Sequence, residues 1–220
     1  MADSIAHRLS FAVRFDDHFS GASIADELPV RLAGNLQRPA RRSDGTGMRQ
    51  SDGSYRFINA PGGPQRVLWR DPFARTHASW TRFGAEPEVA LPLADPAVLV
   101  KFDLWPAANA AASPGTIGVR GRLTGPGNGG QTIRIARQGT AFGRHTISDQ
   151  NGEFLFLPPG RLAEDASGLV PMVIEVRRPD ASLRVVAGGR FVPDAAGAAF
   201  PAADFSILPQ TISRVIFTLS

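Results

Sequence analysis

Apolar and polar residues alternate at every second position through most of this chain. Leu9, Phe11, Val13 and Phe15 interleave with Ser10, Ala12 and Arg14, a period of two that predicts a strand with one buried face. After the turn "DDHFSGAS", Leu28, Val30 and Leu32 repeat the pattern in "ELPVRLAG". A polar loop with Pro39, Asp44-Gly45 and Gly47 fills Gln37 to Gln50, and Asp52-Gly53 then predicts a hairpin turn into Tyr55 and Phe57. "QRVLW", "EVALPL" and "AVLVKFDLW" read as further strands, the last placing Val98, Val100, Phe102 and Leu104 on one face. Between them, "RDPFARTHASWTRFGAEP" has no clear period and reads as a long connection.

The second half repeats this grammar. "TIGVRGRLT" is a strand, "GPGNGG" a loop, and "QTIRIARQ" a strand with Ile133 and Ile135 inward. "FGRHTISD" leads into the Asn151-Gly152 turn and "EFLFLPPG", and Val170, Met172, Ile174 and Val176 alternate in "LVPMVIEVRR". "LRVVAGGRFV" and "ISRVIFTLS" supply the last strands. No helical period extends beyond a turn or two, so the pattern predicts an all-β chain.

One unit occurs twice. "SDGSYRFINAPGG" (residues 51–63) and "SDQNGEFLFLPPG" (residues 148–160) share a turn glycine, two aromatics at matching offsets and a Pro-Gly exit. Gly53 and Gly152 lie 99 positions apart, a repeat of domain size. The turn glycine tolerates positive φ and closes the hairpin in one register. A slip of one residue would turn Phe154 and Phe156 out to water, and proline, with fixed φ and no donor, takes the strand out of the sheet. The expected architecture is two tandem immunoglobulin-like or transthyretin-like β-sandwich domains. Residues 1–105 form the first, "PAANAAASPG" (106–115) a small-residue connector, and 116–220 the second.

The run "GTIGVRGRLTG…QTIRIARQG…HTISDQNGEFLFLPPG…VIEV" resembles the carboxypeptidase regulatory-like domain, a transthyretin-like β-sandwich. Gly118, Val119, Gly121, Ile133, Ile135, Asp149, Gly152, Phe154, Phe156, Pro158, Pro159 and Gly160 carry the resemblance, which covers residues 116–177. Leu9 to Trp69 looks like a divergent relative, with "APGG" in place of the double proline. Two departures are visible: the family's aromatic after Pro-Pro-Gly is missing, and Arg161 to Gly168 is an insertion that delays the next strand. Such domains accompany a metallopeptidase in some proteins without being the peptidase. None of His7, His18, His77 and His145 is followed by an acid at the third position, as a zinc signature would require. More loosely, "FAVRFDDHFSG" and "VKFDLWPAANAAASPGTIGVRGRL" resemble parts of accessory proteins of phage-tail-like contractile systems.

Composition narrows the function classes. The 220 residues include 24 Lys+Arg against 20 Asp+Glu, a formal charge of +4. The sequence pI near 10.8 reflects sparse buffering by one lysine (Lys101), one tyrosine and no cysteine rather than a dense positive field. Nucleic acid is therefore not an expected partner. With no cysteine there are no disulfides and no thiolate sites. No apolar run approaches the ~18 residues a membrane helix needs, and the start is charged too early for a secretory signal. Synthesis in the cytoplasm is expected, with incorporation into a virion or tail-like particle implied by the looser resemblance.

Gly125, Gly127 and Gly130 match a dinucleotide fingerprint, but a strand rather than a helix is expected to follow them. Asp16, Asp17 and His18, or His145 with Asp149, are metal-ligating residue types that serve equally as turn acids and a strand-edge histidine. Arg38, Arg41 and Arg42 form a basic loop. Trp69, Trp80 and Trp105 are either a sugar-stacking platform or packed core. No acid–base–nucleophile set emerges, so no catalytic, cofactor-binding or metal residue is assigned. The expected function is a non-enzymatic structural or adaptor protein that contacts protein partners in a multi-subunit assembly. The alternative is a carbohydrate- or peptide-binding module presenting Trp80, Trp105 and the 161–168 loop.

Overall fold

A computed structural model of the chain describes residues 8–70, 79–83, 86–192, 199–201 and 203–220. Every regular element among them is a β-strand. The chain divides into two compact units, Met1–Leu104 and Trp105–Ser220.

The first unit contains β1 (Leu9–Asp17), β2 (Arg31–Leu32), β3 (Ser54–Ile58), β4 (Gly63–Leu68), β5 (Trp80–Thr81), β6 (Glu88–Leu91) and β7 (Leu99–Pro106). They form a four-stranded sheet, β3-β1-β7-β5, and a three-stranded sheet, β2-β4-β6. Phe11, Val13, Phe15, Tyr55, Phe57 and Leu104 of the first sheet share one core with Leu32, Val67 and Val89 of the second. This is a β-sandwich, two sheets closing on their apolar faces. Phe11 and Phe57 stack at 4.8 Å between ring centroids.

The second unit contains β8 (Gly118–Thr124), β9 (Thr132–Arg137), β10 (His145–Ile147), β11 (Glu153–Phe156), β12 (Val170–Arg177), β13 (Leu183–Arg184), β14 (Val186–Phe191), β15 (Ala199–Pro201), β16 (Asp204–Ile207) and β17 (Ile212–Leu219). One sheet runs β10-β9-β12-β13 with β16 also on β12; the other runs β11-β8-β17-β14-β15. Between them lie Val119, Leu123, Ile133, Ile135, the whole inward face of β12, and a cluster of rings. Phe217 is at its centre, 6.2 Å from Phe154, 5.8 Å from Phe200 and 5.3 Å from Phe205.

The two units repeat one topology. In the first, β1 lies between β3, antiparallel, and β7, parallel. In the second, β8 lies between β11, antiparallel, and β17, parallel. The repeated turn-and-strand motif therefore occupies equivalent places, with Tyr55 opposite Val13 and Phe154 opposite Gly121. Gly53 and Gly152 have φ of 80° and 81°, as the turn requires. A side chain at Gly121 would run into the Phe154 ring, so the glycine lets that ring lie across β8.

Two sequence expectations change in detail, and one strand has an unforeseen facing. Leu28, Val30 and Leu32 are buried as the period predicts, but only Arg31–Leu32 is strand. The Leu28 amide donates instead to the Tyr55 hydroxyl at 2.7 Å, so the segment is anchored by a side chain rather than a ladder. Val98 is 55% exposed and outside β7, whose Val100 and Phe102 pack half-buried against the core beside buried Leu104. In β13, Leu183 is 59% exposed while Arg184 is buried, the reverse of what hydropathy alone would choose.

Candidate functional site

The acidic residues with candidate chemistry are held in local structure. Arg14 forks onto Asp16, Nε to Oδ1 at 2.7 Å and Nη2 to Oδ2 at 2.8 Å, and this pair raises the arginine's pKa. Asp17 accepts from the Phe19 and Ser20 amides and the Ser20 hydroxyl, closing the turn after β1. His18 Nδ1 lies 3.0 Å from Asp103 Oδ2. Asp16, Asp17 and His18 thus point to three separate structural tasks.

The same holds for Asp149 and His145. Asp149 Oδ1 accepts from the amides of Asn151 and Glu153, both at 2.8 Å, which builds the turn into β11. The His145 carbonyl accepts from Trp105 Nε1 at 3.0 Å. Among the described residues no group of three or more His, Asp or Glu side chains could hold a metal ion. His7 and His77 lie outside the described residues.

Four further acids share one device. Asp44, Asp52, Asp165 and Asp180 each take, on a single oxygen, the amide and the hydroxyl of the Ser or Thr two residues on. The hydroxyl bonds are 2.6–2.7 Å. These are Asx turns reinforced by a side-chain donor. The hydroxyl bond is the largest cause holding all four carboxyls below their ordinary value.

The glycine loop proves equally structural. Gly125, Gly127 and Gly130 have φ of 114°, 62° and 68°, and β9 follows them where a pyrophosphate site needs a helix. The loop's carbonyls are engaged by Arg184, which donates to Pro126 at 2.8 Å, Gly127 at 3.1 Å and the Ser220 carbonyl at 3.3 Å. This clamp explains the inverted β13: three carbonyls hold the guanidinium inside and leave Leu183 outside. An arginine interrupting an apolar run was its only trace in sequence.

Trp69 and Trp105 are buried, and Trp80 is half-buried against the first unit's core, with Nε1 at 3.5 Å from Asp26 Oδ2. Trp69 and Trp105 thus have no open face for a sugar. In the basic loop, Arg42 pairs with Asp44 at 2.8 Å and Arg41 reaches the Gly45 carbonyl at 3.5 Å, leaving Arg38 exposed.

The 161–168 insertion borders an open cleft on the second unit. Asp165 closes its turn and Arg137 Nε holds the Ala163 carbonyl at 2.9 Å. Beside it lies a cleft of about 480 Å³ whose walls include Ile117, Pro158, Arg161, Leu162, Glu164 and Gln210. It offers one cation, one anion, an amide and apolar surface.

No protein-family model matches the chain, and no curated protein does. Solved structures similar at low level include the following three. The Bacillus anthracis TIE protein is 10% identical over 96% of this chain and 34% of its own, with a TM-score of 0.30. A streptococcal ancillary pilin is 11% identical over 96% of this chain and 62% of its own, TM-score 0.29. The major pilin from Streptococcus pyogenes is 8% identical over 95% and 96%, TM-score 0.20. The chain thus spans about a third of the first structure and three-fifths of the second.

Proposed function

We propose that this protein is a non-enzymatic structural or adaptor component that joins protein partners in a larger assembly. The observation that carries the reading is the parallel pairing of first and last strands in each unit. Six register pairs join β1 to β7, from Ala12↔Leu99 to Asp17↔Leu104, and seven join β8 to β17, from Gly118↔Ile212 to Thr124↔Thr218. The chain enters each unit at one end of its parallel ladder and leaves at the other. Tension along the chain therefore acts along the strands and loads evenly spaced hydrogen bonds together, instead of peeling them singly. Such closure suits a component that keeps its shape under load.

The acids tied into turns support the same reading, since they stiffen loops rather than converge on a substrate. The finer version places the protein in a phage-tail-like contractile particle, with the second unit as a carboxypeptidase regulatory-like domain; it rests on the sequence resemblance. Copurification with tail or baseplate proteins would favour that version. The glycan-binding alternative loses Trp105 to burial and keeps half-buried Trp80, whereas a peptide alternative retains the cleft beside Arg161.

Force spectroscopy on the full chain, held at its two ends, tests the main reading. Two unfolding events at forces well above those of the same units pulled through β3 or β11 are expected. Equal forces in both geometries would overturn it, because rates of forced unfolding report the barrier along the loaded direction.

A further inference from the structure

One face of the second unit carries charge that local structure leaves unneutralised. In the β11-β8-β17-β14 sheet, Val119, Gly121, Leu123, Val215 and Phe217 point inward, so residues of opposite parity form the outer face. Across that face one row reads Glu153, Arg122, Ile216, Arg190, and the next reads Leu155, which is buried there, Arg120 and Arg214. Four arginines thus stand against one acid at these strand positions.

Arg120 is partly buried and donates to the Ala110 carbonyl, which ties residue 110 to this face. Arg122, Arg190 and Arg214 are exposed, and among the described residues none has an ion pair or a side-chain hydrogen bond. Elsewhere in the unit arginines on strands are partnered: Arg177 forks onto Glu175 at 2.7 and 3.1 Å, and Arg134 lies 3.7 Å from the same acid. Arg214 lies directly across from Arg120 on the neighbouring strand, and like charges so placed destabilise a sheet. Burial, with the charge of Arg214 adding to it, lowers the pKa of Arg120. An anion over the face would relieve that repulsion.

We propose that this face docks an acidic protein surface, with Arg122, Arg190 and Arg214 receiving carboxylates. The inference deepens the assembly reading and rests on it. A protein partner fits better than a polyanionic polymer for two reasons. Half-buried Ile216 lies between Arg122 and Arg190, and arginine mixed with apolar side chains on a flat surface is the composition of protein interfaces. The whole chain carries only +4, too little for a field that would gather nucleic acid. In this register Arg122 and Arg190 lie in one row two strands apart, about 9.6 Å, and Arg214 lies one strand and two residues from each, about 8 Å, so the three arginines present a triangle of charge to a partner's carboxylates.

The test uses the full chain and a fluorescent deca-glutamate peptide, read by anisotropy at about 50 mM salt, where surface charge is least screened. The triple variant R122Q/R190Q/R214Q should bind about tenfold more weakly, and the charge-matched control R8Q/R38Q/R178Q should change by less than about twofold. Equal losses in the two variants would overturn the proposal, since net charge alone would then explain binding. Tighter, face-dependent binding of heparin or duplex DNA would overturn it in favour of a polymer. Should the triple variant melt early, R122Q/R190Q serves in its place. Failure here leaves the force measurement on the parallel ladders untouched, so the two readings fail separately.

Discussion

The aromatic that follows the repeated turn is Tyr55 in the first unit and Phe154 in the second, and each suits the sheet that faces it. The first unit's second sheet has three strands, one only two residues long, and the apolar segment before that short strand makes no ladder at Leu28. Its backbone needs a side-chain partner, and the Tyr55 hydroxyl supplies it. The second unit's facing sheet has β9, β12 and β16 in continuous register, so backbone pairs with backbone and a plain phenyl ring suffices. The edge strands differ too. The outward carbonyls of β3, at Ser54, Arg56 and Ile58, accept from Gln50, Ala40 and Gln37, so the polar loop covers that edge. Where a sheet is complete the motif contributes packing; where it is short, the same motif adds hydrogen bonds.

The largest expected effect comes from removing the ring in the unit that depends on packing. Phe154→Ala should cost about 3–5 kcal/mol, lowering the melting transition of the second unit while leaving the first unchanged. Calorimetry of the full chain reads both, and a shift below about 1 kcal/mol would break the comparison. Tyr55→Phe should cost about 1–3 kcal/mol by leaving the Leu28 amide buried without an acceptor. Hydrogen exchange at Leu28 should rise with it; unchanged protection there would show that the hydroxyl is not the anchor.

The smallest effect is acid sensitivity, and it should be shared by the two units. Asp44 and Asp52 lie in the first, Asp165 and Asp180 in the second, all with pKa values below the ordinary one because of hydroxyl hydrogen bonds. A carboxyl lowered by folding contributes stability that is complete above the unfolded value of about 3.9 and disappears as pH falls through the folded value. Asp52→Asn and Asp180→Asn should each flatten the acid limb of their own unit's melting profile. Identical acid limbs in variant and parent would remove the turns from the account.

Much of the fold could be read from the chain because period-two alternation reports strand faces directly. All four inward residues of β12, and Phe154 and Phe156, are buried where the pattern puts them. Arg184 could not be read that way, since its burial depends on carbonyls 36 to 58 residues distant. The arginine face was also hidden. Arg120 and Arg122 look like ordinary outward residues until β17 and β14 bring Arg214 and Arg190 beside them.

The amino-acid order by itself determined strands, turns and the duplicated motif, because these follow from alternation, glycine and proline within a few neighbouring residues. Which strands lie side by side was decided only in three dimensions, where parallel closure joins residues about ninety positions apart. Local preference has no term for such distant partners. The clamp at Arg184, the loaded ladders and the unneutralised arginines all arise from that closure.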